Sequence, residues 1–216
     1  MIVYFPSCNF TKASPEASEK IKSYLKRRFG ARVAGCCRPG HKTLTAGDTA
    51  VTICQSCSAI CRENCSDVEE LSVFELLDGD ERFPWPDLSG EVLALQDCWR
   101  ARNKPQLHAA VRSILVKMNA QVFELPENRE RSKFCGTFRY NPMRPGNLAI
   151  APGYFGRQME GYLELHSAEE QQALMEVHCQ SYPAGRMVCY CNSCLRGIQQ
   201  GGGDGVHLME LMTSNM

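Results

Sequence analysis

Short apolar runs alternate along the chain with stretches in which apolar residues recur every third or fourth position. Ile2 to Phe5 is uniformly apolar and stops at Pro6. Ser14-Pro15 then places an N-cap ahead of a first-turn proline, and Ala17, Ile21, Leu25 and Phe29 recur every four residues up to Gly30. Lys20, Lys22, Lys26 and Arg27 lie off that stripe, so an amphipathic helix is predicted. With Ile2 to Phe5 as the first strand, further strands are predicted over 32–34, over 50–53 and over 71–77, with a helix opened by Cys54-Gln55-Ser56-Cys57 directly after 50–53. Residues 78–90 are rich in charge, Pro and Gly and carry a linker. The pattern then restarts with a strand over 91–96 and a helix opened by Asn103 and Pro105, whose Leu107, Val111, Ile114, Leu115 and Met118 share one face. A strand over 121–125, a loop-like stretch over 140–165, a helix over 168–178 and a strand over 187–190 come next, and a segment over 206–211 closes the chain.

The two halves repeat one order: strand, Cys, helix, strand, Cys, strand, C-x2-C. Cys8 corresponds to Cys98, Cys36-Cys37 to Phe134-Cys135, and Cys54 and Cys57 to Cys191 and Cys194. The strand-like Val73-Phe74-Glu75-Leu76 corresponds to Leu208-Met209-Glu210-Leu211, and loop insertions fall mostly between Cys135 and Cys191. The prediction is an α/β fold of two pseudo-symmetric strand–helix units with parallel or mixed sheets, 1–80 and 91–216, joined by a linker at 81–90. The cysteines sit at the C-terminal ends of the strands, where sites in such sheets form.

Charge narrows the function. Lys plus Arg and Asp plus Glu are each 24 among 216 residues, so the basic excess of a nucleic-acid-binding protein is missing. No apolar run reaches the length of a membrane span. The first residues lack the basic and apolar regions of a signal peptide, which predicts a cytoplasmic chain. In such a compartment the 13 Cys are available as ligands or redox groups, and their odd number does not suit a disulfide framework.

The spacing suggests what they do. Both C-x2-C groups open helices, where backbone N–H groups favour thiolate over thiol. Four converging thiolates suit zinc or an iron–sulfur cluster. Neighbouring side chains such as Cys36 and Cys37 do not readily take two tetrahedral positions on one ion, which favours a cluster in the first half.

The order Cys, Cys-Cys, C-x2-C, occurring twice, resembles the cysteine-rich CCG domain of heterodisulfide reductase and of related redox enzymes. The resemblance spans nearly the whole chain and rests on nine cysteines in their strand–helix setting. It implies a [4Fe–4S] cluster, cubane or non-cubane, held in the first unit by Cys8, Cys36, Cys37, Cys54 and Cys57. Cys36 and Cys37 would be its reactive ligands. Cys98, Cys135, Cys191 and Cys194 would hold a cluster, zinc or nothing in the second. It further implies an oxidoreductase subunit passing electrons to a thiol–disulfide or similar small substrate. The chain has no flavin or nicotinamide fingerprint, so a partner subunit with flavin or ferredoxin-type clusters would supply the electrons. The sequence departs from the pattern at Arg38, where the family has Gly, and at Phe134, where it has Cys. The alternatives are a zinc-stabilised interaction module without redox activity and a metal-free dithiol reductase using Cys54 and Cys57.

Cys61 and Cys65 extend the first C-x2-C and are expected as packing or spare redox thiols, while Cys179 and Cys189 have no counterparts and are expected to pack. His41 is expected in a loop. Arg38, Arg100 and Arg102 flank the candidate ligands and would be solvated, offset cluster charge or meet an anionic substrate. Gly201 to Gly205 lacks a phosphate-loop ending and is expected to be a turn.

Overall fold

A computed structural model describes residues 1–182 and 185–216. The first unit begins with β1 (Ile2–Phe5). Ser7 comes next at φ 60°, a left-handed backbone uncommon for a residue with a side chain. Its hydroxyl accepts the Phe10 N–H at 3.4 Å and opens α1 (Cys8–Ala13). The predicted amphipathic helix is α2 (Pro15–Phe29): Pro15 starts it, Ala17, Ile21 and Leu25 are buried, and Gly30 ends it in the left-handed conformation at φ 61°. Further along are β2 (Arg32–Val33), α3 (Cys37–Gly40), β3 (Thr49–Thr52), α4 (Gln55–Asn64), β4 (Glu69–Ser72) and α5 (Val73–Asp78).

The second unit carries β5 (Val92–Gln96), α6 (Pro105–Lys117) and β6 (Gln121–Glu124). Two short helices, α7 (Pro145–Ile150) and α8 (Pro152–Phe155), interrupt it in sequence. It resumes with α9 (Ala168–Gln180), β7 (Arg186–Cys189), α10 (Asn192–Gln200), β8 (Gly205–His207) and α11 (Leu208–Met212). Each unit has one four-stranded sheet, ordered β2-β1-β3-β4 in the first and β6-β5-β7-β8 in the second. Every pairing among these strands is parallel, so the fold is α/β and the internal repeat extends to strand order. Central parallel strands are covered on both faces, which is why they read as continuous apolar runs. Val3, Tyr4, Phe5, Leu93, Leu95 and Val188 are accordingly fully buried.

Three predicted elements differ. The strand expected over 71–77 ends at Ser72, because Ser72 and Glu75 form a capping box: the Ser72 hydroxyl accepts the Phe74 N–H and the Glu75 carboxylate accepts the Ser72 N–H at 2.9 Å. Val73, Phe74 and Leu77 are therefore buried on a helix. The segment over 206–211 behaves in the same way, with His207 Nδ1 accepting the Met209 N–H at 3.2 Å and Glu210 accepting the His207 N–H at 3.0 Å. The correspondence between 73–76 and 208–211 holds, as helices rather than strands.

The stretch expected as loop over 140–165 contains α7 and α8. Residues 143–161 belong to the same compact unit as residues 1–80, whereas their place in the sequence groups them with 91–216. Hydrogen bonds fix them there. Glu63 accepts the N–H groups of Gly153 and Tyr154 at 2.6 and 2.8 Å, Asn64 Nδ2 donates to the Ile150 carbonyl, and Arg38 Nε donates to Asn147 Oδ1. No helix among the described residues is long and apolar enough to cross a membrane.

Candidate metal centre

In both units the chain turns from the second strand in sequence, on one flank of the first, to the third on the other. The crevice at that switch point is where α/β sheets place ligands. In the second unit Cys98 lies two residues beyond β5, and Cys191 lies two beyond β7, at the N-cap of α10. Cys194 occupies the first turn of α10. Cys135 comes from the loop after β6.

These four side chains converge. The Sγ atoms of Cys98, Cys191 and Cys194 lie within 4.8 Å of one another, and Cys135 Sγ is 3.6 Å from Cys98 Sγ. Their exposures are 0% for Cys98, 1% for Cys135, 5% for Cys191 and 0% for Cys194, and none is in a disulfide. A tetrahedral ion with metal–sulfur bonds of about 2.3 Å needs sulfurs about 3.8 Å apart, so Cys98, Cys191 and Cys194 are spaced to hold a metal ion, with Cys135 Sγ beside Cys98. Burial pushes the Cys98 and Cys194 thiols well up, while hydrogen bonds from Cys135, Cys194 and Cys98, with the Arg100 charge nearby, pull Cys191 well down.

Arg100 is not a solvated surface residue. It is 7% exposed, its Nε donates to Cys135 Sγ at 3.2 Å and its Nη2 to Cys191 Sγ at 3.5 Å. The guanidinium also lies 4.0 Å from the ring centroid of Phe138.

Gly136 and Phe134 explain the local sequence. Gly136 has φ 49°, and a Cβ there would stand 2.0 Å from the Ser193 carbonyl oxygen, so only glycine lets the Cys135 loop meet the start of α10. The Phe134 ring stacks on His178 at 3.8 Å and its carbonyl accepts the Trp99 N–H at 2.8 Å, which pins the same loop. In the first unit the position matching Gly136 is Arg38, inside α3, where the helical backbone accepts any side chain.

A charged network beneath Cys98 was not legible in the sequence. Asp97 accepts from Arg112 Nη2 at 2.7 Å, from the Arg129 N–H at 2.7 Å and from the Tyr190 hydroxyl at 2.9 Å. The Tyr190 oxygen accepts the Cys98 N–H at 3.2 Å. Arg112 also pairs with Glu124 at 2.6 Å. Only the adjacency of an acid to Cys98 hinted at this. Tyr162, from far along the chain, stacks on Trp99 at 3.4 Å and lies close enough to Cys135, Cys98 and Cys194 to interact with them electrostatically. Cys135 also lines a cleft of about 300 Å³ with Lys133, Phe134, Arg139, His178 and Tyr182.

The first unit gathers its cysteines along the same edge but leaves all except Cys57 less buried. Cys54 caps α4 in nearly the backbone conformation with which Cys191 caps α10, φ −123° against −134°. Cys57 is buried in the first turn of α4, while Cys36 caps α3 and Cys37 begins it. Cys8 is exposed, and Cys36, Cys37 and Cys54 are half-buried. Cys8, its thiol raised by burial, hydrogen-bonds Cys36, and Cys57 hydrogen-bonds Cys37 and Cys54. The Cys37 thiol is pulled down by that bond from Cys57. Among the described residues, the tight mutual spacing of three ligand atoms occurs only at Cys98, Cys191 and Cys194.

Cys61 packs in the core beside Cys57, and burial pushes its thiol up to about 12. Cys65 donates to the His41 carbonyl at 3.5 Å, and the His41 ring meets the Cys37 carbonyl rather than a sulfur. Cys189 is buried and Cys179 donates to the Ile198 carbonyl at 3.4 Å, so both pack. The chain matches no family model, and no curated protein or solved structure is significantly similar to it.

Proposed function

We propose that this chain is a metal–thiolate redox subunit of the kind the CCG resemblance implies, with a reactive centre in the first unit and a closed four-thiolate site in the second. One observation carries the reading: the same strand order, used twice, brings cysteines to the same sheet edge, all four buried in the second unit, but in the first with Cys8 exposed, Cys36, Cys37 and Cys54 half-buried and only Cys57 buried. Accessible ligands suit a centre that meets a substrate sulfur, and buried ones suit a site that holds the fold.

In the first unit Cys8, Cys36, Cys37, Cys54 and Cys57 would hold a [4Fe–4S] cluster, whose chemistry is one-electron transfer. Disulfide cleavage takes two electrons, so a partner bearing flavin or ferredoxin-type clusters would deliver them. Cys36 and Cys37 present adjacent sulfurs, which reach two different irons more readily than one. In the second unit the spacing of about one tetrahedral edge between Cys98 and Cys135 favours a single zinc or iron ion over a four-iron cube. There Cys98, Cys135, Cys191 and Cys194 would hold the ion, with Tyr162 nearby.

Anaerobically purified protein analysed for iron, labile sulfide and zinc tests both centres. The expected result is a brown protein with about four irons and four sulfides from the first unit, plus one further metal ion from the second. Cys36→Ser should change or abolish the spectrum of the four-iron cluster and Cys179→Ser should keep it. A colourless protein carrying zinc alone would replace this reading with the structural module.

A further inference from the structure

The second-unit centre has an outer partner as well as four sulfurs. We propose that Arg100 is its positioning residue, donating N–H···S hydrogen bonds to Cys135 and Cys191 that hold both sulfurs in place and draw charge from them. This role rests on the four-thiolate site proposed for the second unit and goes beyond it.

Four thiolates on a divalent ion carry a net charge of minus two, which a buried site has to offset. The guanidinium is the cation the structure aims at these sulfurs: Nε reaches one and Nη2 the other, at 3.2 and 3.5 Å, within the range of N–H···S bonds. The planar fork is what allows one side chain to serve two ligands from distant parts of the sequence. Phe138, three residues beyond Cys135, supplies a ring over which the guanidinium carbon stands at 4.0 Å from the centroid. Arg100 comes two positions after Cys98, in the 3-10 turn Trp99–Ala101, so the backbone that places one ligand also places the donor to two others. Arg100 thus links three of the four ligands: Cys98 through the chain, Cys135 and Cys191 through its hydrogen bonds. Drawing charge from sulfur also makes it harder to move an electron from sulfur to metal, which is a property that spectroscopy reads directly.

The test uses the full chain, stripped of metal and titrated with Zn²⁺ against a chromogenic chelator and with Co²⁺ in the visible range. Absorbance and zinc uptake that Cys98→Ser abolishes belong to the second unit. At that site Arg100→Gln should bind zinc about 10–100-fold more weakly, and its sulfur-to-cobalt charge-transfer bands should move to longer wavelength. Arg100→Lys, which keeps the charge but not the fork, should fall between, and it serves if the glutamine variant does not fold. A folded Arg100→Gln protein with unchanged bands and zinc affinity within about twofold of the original would overturn the assignment of Arg100 alone. Absence of any Cys98-dependent metal uptake in the unaltered protein would instead overturn the four-thiolate site, and the role of Arg100 with it.

Discussion

Two histidines show how far single residues depend on their surroundings. His178 and His207 are both pushed down to about 4 by burial. Their neutral forms have defined work: His207 Nδ1 caps α11, and His178 stacks on Phe134 while its Nε2 meets Gln96 Oε1 at 2.8 Å. An unfolded histidine titrates near about 6.5. From there down to about 4 the unfolded chain binds protons that the folded chain refuses, so stability is full above that window and falls as pH drops through it. Each histidine contributes a slope of roughly 1.4 kcal/mol per pH unit at most. Asp97 adds a later loss. Burial raises its carboxyl, but Arg112, the Arg129 N–H and Tyr190 outweigh this and hold it below the usual value. Its contribution is present above the ordinary aspartate range and disappears as pH falls through its lowered value. Thermal melts of metal-free protein from about pH 7.5 to about pH 4 should show the histidine loss, and His178→Gln should flatten the slope. A melting temperature independent of pH across that window would contradict the account.

At the scale of elements, legibility depends on which forces are local. The stripe of α2, its proline start and its glycine end are short-range, and the sequence shows all three. The capping box at Ser72-Val73-Phe74-Glu75 is also local, yet the apolar run around it reads as strand, because buried strands and buried short helices look alike over about six residues. The equivalent cap at His207 uses an imidazole, which no serine or threonine signal announces. The cysteine positions were legible as a repeat, whereas Arg100, Asp97, Arg112 and Tyr162 meet the site through tertiary packing that spacing does not encode. Gly136 lies between these cases: a glycine beside Cys135 is visible, but its need arises from Ser193, far along the chain. Gly136→Ala should cost about 3 kcal/mol or more through strain and overpacking. Urea unfolding should show that loss together with reduced metal content. Arg38→Gly, at the matching position, should cost about 1 kcal/mol of helix propensity and about 1 kcal/mol for the lost hydrogen bond to Asn147, with no backbone strain.

At the scale of the molecule, two similar halves were visible from the cysteine repeat, and the structure makes them alike in strand order and unlike in closure. The difference traces to the turn after the first strand of each unit. Beyond β5 the chain turns inward at Cys98 over the Asp97 network, and beyond β1 it turns at Ser7 into α1 and leaves Cys8 outside. The first unit also borrows residues 143–161, and that has a consequence for how the protein is made. A ribosome that has delivered only the first 90 residues has not yet supplied the N–H groups that Glu63 binds, nor the carbonyl that Asn64 binds. The first half cannot finish folding behind the growing chain, as sequential units usually do, and must wait for about 70 further residues. A fragment covering 1–90 should exchange the amide hydrogens of α4 faster than the whole chain does, and a peptide of residues 143–161 added to it should restore their protection.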